Sequence, residues 1–121
     1  MKYLVKAKLK ASLKNDLMRE INADTLGSGS VAFGEYIKNM QQARVLEDGT
    51  LCWLEICFCS TPLAEELPYW QRYFEEITIE NAHNPNNCQD YNGNAKRACF
   101  ECSCTDQLEQ TMLRWGEPFI A

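Results

Sequence analysis

Two short segments of this sequence carry the same chemical pattern, a Cys-x-Cys pair that runs into a threonine. They are Cys57-Phe58-Cys59-Ser60-Thr61 and Cys102-Ser103-Cys104-Thr105. Thiolates bind zinc and other soft metals, and a structural zinc site takes four ligands in a tetrahedron. Because each pair lies where a predicted strand meets a predicted helix, the four thiols can converge on one metal or one redox centre.

Further candidate ligands lie between and beside these pairs. Cys99 and Cys102 have the Cys-x-x-Cys spacing of a zinc half-site, whereas residues i and i+2 of a strand are too far apart to chelate without a local bend. The loop between the pairs contains Cys88 and His83, the one histidine of the chain. With zinc as the expected metal, the predicted ligands are Cys57, Cys59, Cys88, Cys99, Cys102, Cys104 and His83.

Two other interpretations of the cysteines stay open. Cys59 and Cys104 each precede a predicted helix N-terminus, where the helix dipole lowers a thiol pKa and favours the nucleophilic thiolate of a redox site. A thioredoxin-like site, however, places its Cys-x-x-Cys at the start of a helix, and Cys99 to Cys102 is predicted as strand. Several thiols can instead be small buried hydrophobes, which we predict for Cys52 because its face of the strand is apolar.

The predicted strand from Leu51 to Cys59 has two different faces. The face predicted as core carries Cys52, Leu54, Ile56 and Phe58. The other face, predicted as uncovered, carries Leu51, Trp53, Glu55, Cys57 and Cys59. Because a tryptophan, a carboxylate and two thiols are unusual on a solvent face, we expect this face to form a subunit interface, a ligand cavity walled by Trp53 and Glu55, or a metal site. Enclosure by a dimer would raise the pKa of Glu55, and the simpler alternative is an interface ion pair with Arg44.

Length, charge and cysteine content indicate how many domains the chain forms, which partners it binds and where it is located. A chain of 121 residues suffices for one domain, and its net charge of -5, with both signs spread along the chain, argues against nucleic acid as a partner. Lysines interrupt the apolar residues of segment 1–10, so we expect no signal peptide, no membrane span and a cytoplasmic location. In a reducing compartment the seven cysteines are expected to be thiols, metal ligands or redox partners before they are disulfides.

Periodicity predicts the elements that position these residues. Alternation of Tyr3, Val5, Ala7 and Leu9 indicates a strand, and Ser12 is the predicted cap of the helix that follows. Residues 31–42 fit either a helix or a strand. The Asp48-Gly49 pair between two apolar runs predicts a hairpin.

The second half of the chain contains three more periodic segments. Thr61 is predicted to cap a helix whose apolar stripe runs from Leu63 to Phe74, and the helix is predicted to kink or restart at Pro68. A short strand then ends near residue 83, an irregular loop covers residues 84–98 and a strand covers 98–104. Thr105 is predicted to cap a last helix that stops at Gly116, and the apolar tail after it is predicted to dock on the domain.

The first six elements follow the order β, α, β, β, α, β, which matches the split βαβ arrangement of ferredoxin-like α+β folds. We predict an antiparallel sheet with its helices on one face. A single domain spans residues 1–121, with the ferredoxin-like core over 1–83 and a cysteine-bearing loop, strand and helix over 84–121. The open sheet face predicts a homodimer.

The segment CFCSTPLAEELPYW at residues 57–70, with the hairpin before it and the cysteines of residues 99–104 after it, resembles a small bacterial family of cysteine-rich proteins. The resemblance covers most of the chain and implies no catalytic residues. The order of the elements also resembles the dimeric α+β barrel superfamily, in which two ferredoxin-like sheets pack face to face. That resemblance concerns the fold alone, and a fold does not define a function.

Two functions of different classes follow. The first is a non-enzymatic cytoplasmic protein that dimerises and uses its cysteines to hold zinc or another soft metal. The second is a small enzyme or ligand-binding protein of the dimeric α+β barrel type, with a cavity walled by Trp53, Glu55 and Cys57; a thiol-redox protein is a further alternative. The distance between the two Cys-x-Cys segments separates the first hypothesis from the others.

Overall fold

The computed structural model describes residues 2–30, 33–57, 61–82 and 105–120. These residues form a five-stranded antiparallel sheet and four helices, which confirms the predicted α+β class. The strands are β1 (Lys2–Leu9), β2 (Arg44–Val45), β3 (Thr50–Ile56), β4 (Phe74–Asn81) and β5 (Glu117–Pro118). The helices are α1 (Lys14–Asn22), α2 (Glu35–Gln42), α3 (Leu67–Trp70) and α4 (Asp106–Met112), and a 3-10 turn over Ala11–Leu13 precedes α1.

The strands are arranged in the order β4-β1-β3-β2-β5, and each neighbouring pair is antiparallel. The predicted hairpin joins β2 to β3 through a turn in which Gly49 has a φ of 86°, a left-handed conformation that glycine adopts without steric cost. β5 pairs with β2, and the Phe119 amide donates a hydrogen bond of 3.0 Å to the carbonyl of Ala43. The apolar tail therefore docks, as predicted.

Both faces of the sheet carry buried apolar clusters. The larger cluster joins Val5 of β1 and Trp53 of β3 to side chains of α1, α2 and α3. On the opposite face Leu4 and Cys52 pack with Met112 of α4. The helices of the first 83 residues thus lie on one face, as predicted, and the C-terminal helix lies on the other.

The prediction of which face of β3 is uncovered is wrong. Trp53 is 0% exposed and Glu55 is 2% exposed, within the larger cluster and beneath the chain's own helices. Cys52 is buried on the other face, as predicted, beneath α4. Alternation separates the two faces of a strand but does not show which layer covers each one, and both faces of β3 are largely apolar.

Two predicted helix boundaries are also wrong. Ser12 lies inside the 3-10 turn, and Leu13 occupies the N-cap position of α1. In the helix predicted from Leu63 to Phe74, turns precede a short α3 and Phe74 begins β4. Pro68 lies in the first turn of α3, where a missing N–H costs nothing, so of the predicted kink or restart at Pro68 the structure shows the restart.

Residues 35–42 of the segment that fitted either element form α2. The predicted loop over 84–98 and the predicted strand over 98–104 lie outside the described residues. Within the part of the chain that the structure describes, no helix has the length and apolar character needed to cross a membrane.

Candidate functional site

Lys2 lies where three separate parts of the chain meet at one end of the sheet. It is the first residue of β1 and pairs with Ile56, the last residue of β3. Its carbonyl oxygen accepts a hydrogen bond of 3.0 Å from the amide of Ala82, directly after β4. Its Nζ donates to Oγ1 of Thr105 and to Oε1 of Glu109, both at 3.1 Å. A single side chain and its backbone therefore join β1, β3, β4 and α4.

These contacts fix the points at which the cysteine-containing segments leave the sheet. Cys57 follows Ile56, His83 follows Ala82, and Cys104 precedes Thr105. Thr105 does precede α4, as predicted, but its hydroxyl accepts a hydrogen bond from Lys2 and makes no capping hydrogen bond to the helix. Six of the seven predicted ligands, Cys59, His83, Cys88, Cys99, Cys102 and Cys104, lie outside the described residues.

The two described cysteines are buried on opposite faces of β3. Cys52 is 0% exposed in the cluster beneath α4, and burial raises the pKa of its thiol, which keeps it protonated. Cys57 is 3% exposed in the larger cluster, on the face away from the Lys2 side chain. Across residues 2–30, 33–57, 61–82 and 105–120, no three histidine, cysteine, aspartate or glutamate side chains are grouped so as to hold a metal ion.

Glu55 is a buried carboxyl group with three N–H donors around it. Its Oε1 accepts hydrogen bonds from Nδ2 of Asn39 at 2.8 Å and from Nε1 of Trp70 at 3.1 Å. Its Oε2 accepts a longer one, of 3.4 Å, from Nε1 of Trp53. Burial, against the opposing indole hydrogen bonds and with a smaller contribution from the nearby Glu66, raises the pKa of Glu55 to about 7.

Glu66 is a second buried carboxyl group near Glu55. It is 6% exposed, and none of the described residues donates a hydrogen bond to its Oε2. Burial raises the pKa of Glu66 as well. Aromatic rings surround this region: the Trp70 ring lies 5.1 Å from that of Trp53 and 5.0 Å from that of Tyr36, measured between centroids. The two acids therefore lie in an aromatic, weakly polar environment.

The predicted ion pair between Glu55 and Arg44 is absent from the described structure. Arg44 instead donates from Nε to the carbonyl of Trp115 at 2.9 Å and from Nη2 to the carbonyl of Gly116 at 3.2 Å. Arg44 pairs with Cys52 across the hairpin, so its side chain emerges on the face opposite Glu55. Strand parity alone, once the register is known, excludes this ion pair.

Sequence reasoning identified Trp53 and Glu55 but missed Asn39, Trp70 and Glu66 as their polar neighbours. Each of these polar residues interrupts an apolar stripe of helical spacing. Asn39 lies between Tyr36 and Met40, and Glu66 lies between Leu63 and Trp70. A polar residue in an apolar stripe is a signal of a buried hydrogen bond. The sequence contained that signal, but not which strand the stripe would face.

Two cavities adjoin this end of the sheet on the α4 side. The smaller, of about 120 Å³, reaches Asn39 and is also lined by Lys2, Glu35, Lys38, Gln42, Leu54, Ile56 and Glu109. The larger, of about 360 Å³, shares Gln42, Leu54 and Glu109 with it. Neither Trp53 nor Glu55 lines either of these two cavities.

The candidate site thus has two parts. At Lys2, β1, β3, β4 and α4 meet, and one register position further into the sheet lies the buried acid Glu55. Comparisons with protein-family models, with curated proteins and with solved structures found no match to this chain.

Proposed function

We propose that this is a non-enzymatic protein that holds zinc, or a related soft metal, through cysteines gathered beyond the Lys2 end of the sheet. The observation that carries the proposal is the convergence at Lys2 of Ile56, Ala82 and Thr105. The proposed ligands come from Cys59, Cys88, Cys99, Cys102 and Cys104, with His83 as a further candidate.

The short chain separation between several candidate ligands and the residues that Lys2 contacts supports a shared metal site. Consecutive Cα atoms are about 3.8 Å apart, so Cys104 and His83 each lie one such step from a residue that Lys2 contacts. Cys59 is three residues beyond Ile56, the strand partner of Lys2. Because the cysteine-containing segments start from the same end of the sheet, a short length of chain suffices to bring their thiols together.

The burial of Cys52 and Cys57 excludes both residues from the proposed set of metal ligands. Cys52 lies in the middle of β3, two register positions from the hairpin turn, and Cys57 is enclosed by the larger cluster. A metal ligand in either place would need a charged thiolate inside apolar packing, which is costly without the metal's other ligands beside it. We therefore assign the metal to the remaining cysteines and treat Cys52 as a structural thiol.

The proposal extends to the fold. We infer a ferredoxin-like arrangement because β3 lies between β1 and β2, with α1 and α2 connecting those two strands and α3 connecting β3 to β4. β5 is then an addition beside β2. Homodimer formation stays a prediction, and its interface is not the Trp53 face that the chain's own helices cover.

Thiol counting with and without a chelator tests the metal proposal. We expect the native protein to show few reactive thiols, and a strong chelator to increase the number because zinc-bound thiolates are released. Cys102→Ser is expected to lose the chelator effect, and the matched control Cys52→Ala is expected to keep it. An unchanged thiol count with and without chelator would overturn the proposal.

A further inference from the structure

The outer edge of β4 has backbone groups that can pair with a further strand. β4 lies at one end of the strand order, with β1 as its neighbour. The Ala82 amide donates a hydrogen bond to β1, and by the alternation of an antiparallel ladder Glu80 and Thr78 also direct their backbone groups towards β1. Because successive trans peptide groups alternate in direction, the carbonyl of Ile77 and both the amide and the carbonyl of Ile79 point away from the sheet. No strand in the described part of the chain pairs with these groups.

A groove beside this edge has room for the side chains of an added strand. Its volume is about 540 Å³, and residues of β4 and α3 line it. The half-buried Ile77 and Ile79 contribute from the strand, and Leu67 contributes from α3. An added strand lies about 4.8 Å from its neighbour, so every second side chain of that strand would cover these apolar groups. The groove therefore favours apolar residues at alternate positions of the partner strand.

The charge along this edge is negative, because β4 contains three glutamates and no basic residue. Glu80 is exposed and makes no ion pair with any described residue. At the other end of the strand the 3.1 Å ion pair between Lys8 and Glu76 offsets part of the charge. Lys10 also lines the groove at that end, but its Nζ donates to a backbone carbonyl directly after α3. The partner is therefore expected to carry basic residues that alternate with its apolar ones and lie beside Glu80.

The inner neighbour of β4 already has this complementary pattern. In β1, apolar residues alternate with lysines over much of its length. Val5 lies opposite Ile79, and Lys8 lies opposite Glu75. The pairing of β1 with β4 therefore shows the kind of strand that β4 accepts.

A β-bulge limits the length of the added strand. The register of β1 and β4 shifts between Thr78 and Glu75, and Glu76 has a φ of 52°, in the left-handed region. Bulges interrupt strand pairing and protect an edge from continuous association. The regular part of the outer edge is thus residues 77–81, which suits a short extended segment.

A second copy of this chain fits the edge poorly. Pairing of two β4 strands would bring glutamates together without a basic residue from either strand, and like charges on neighbouring strands are destabilising. The other edge of the described sheet, β5, consists of Glu117 and Pro118. A two-residue strand with an acidic residue and a proline offers little for pairing with β4.

We propose that the outer edge of β4 binds an extended segment of a partner protein, in which apolar residues alternate with lysine or arginine. The segment adds one strand to the sheet over residues 77–81, where backbone hydrogen bonds hold it and the groove selects its apolar side chains. Its basic side chains lie beside Glu80 on the opposite face of the sheet. This inference is independent of the proposed metal site, because no cysteine takes part in the contacts that carry it.

A synthetic peptide of residues 2–10, KYLVKAKLK, is the probe, because it carries the expected alternation. Amide hydrogen exchange of the full chain, followed by NMR, is the measurement. In the protein alone the Ile79 amide should exchange rapidly, while the Glu80 amide, which points towards β1, is protected. Saturating peptide should slow exchange at Ile79 by about tenfold and leave Glu80 unchanged. Unchanged exchange at Ile79 with millimolar peptide would overturn the proposal.

The same measurement distinguishes the other possible occupants of the edge. An Ile79 amide that is already protected in the protein alone means that the edge is covered without a partner. Protection that increases with protein concentration identifies a second copy of the chain, and protection that does not depend on concentration identifies another segment of the same chain. Either result would overturn the proposal.

Charge variants test the basic character of the partner. A peptide with every lysine replaced by glutamate should not bind. Glu80→Lys should weaken binding of the lysine peptide by about fivefold. The matched control is Glu47→Lys, which makes the same change of charge at an exposed position of the hairpin turn and should leave binding unchanged. Equal binding of the two peptides, or equal effects of the two substitutions, would overturn the proposal, because the attraction would then not be specific to this edge.

Discussion

Nζ of Lys2 lies 3.1 Å from Oγ1 of Thr105, a residue 103 positions away in the chain. The contact attaches the start of α4 to the first strand of the sheet, at the end where β3 and β4 also finish. It brings the last residue before one cysteine segment and the first residue after another to the same place. The proposal of a shared metal site rests on this contact.

Lys2→Met should destabilise the protein, because it keeps the aliphatic stem and removes the hydrogen bond to Thr105 and the ion pair with Glu109. The Lys2 side chain is 18% exposed, so we expect a loss of about 1–2 kcal/mol in the free energy of unfolding, measured with urea. Lys8→Met is the matched control: its ion pair with Glu76 joins side chains that are 51% and 67% exposed, and we expect little change. Equal effects of the two substitutions would contradict the role given to Lys2.

Burial of Glu55 should make stability fall as the pH rises. Its pKa is raised from 4.5 to about 7 in the folded protein, so between these pH values the folded state holds a proton that the unfolded state has released. The resulting stabilisation is complete below pH 4.5 and is lost as the pH rises through 7. At about 1.4 kcal/mol per pH unit, the loss amounts to roughly 3 kcal/mol.

Comparison of wild type with Glu55→Gln isolates this effect, since the other carboxyl groups titrate in both proteins. The difference in unfolding free energy between the two proteins should change by roughly 3 kcal/mol between pH 4 and pH 8. As the pH rises, wild type should become less stable relative to Glu55→Gln. Parallel stability curves for the two proteins across that range would show that Glu55 titrates normally.

Much of the fold could be predicted from the sequence because its signals are local. Alternation in β1, the Asp48-Gly49 turn and Thr105 before α4 are each properties of a few neighbouring residues, and the structure confirms these elements. At Pro68 the sequence predicted a kink or a restart without deciding between them, and α3 begins there.

The candidate site was harder to predict because it depends on contacts between distant residues. Glu55 was recognisable as an unusual residue, but its burial follows from α2 and α3 covering its face, which no local pattern reveals. Its partner Asn39 comes from a segment whose periodicity fitted both a helix and a strand. The choice of Arg44 as a partner failed because it requires the register of the hairpin, which places that side chain on the other face.

Trp70→Phe should weaken the contact between α3 and β3 while leaving the ring stack in place. It removes the indole donor that lies 3.1 Å from Glu55 Oε1, so we expect a cost of about 1–2 kcal/mol in unfolding free energy. Because that hydrogen bond lowers the pKa of Glu55, its loss should raise the pKa further, as read from the carboxyl ¹³C titration. Trp115→Phe, on the opposite face, should leave the Glu55 titration unchanged; a lowered pKa in Trp70→Phe would contradict the assignment.

Metal content tests the central claim most directly. Protein purified without added metal should contain about one zinc or related soft metal ion per chain by elemental analysis and native mass spectrometry, and the ion should remain in Cys52→Ala and be lost from Cys102→Ser. Protein that carries no such metal and takes up none when titrated with zinc would contradict the account.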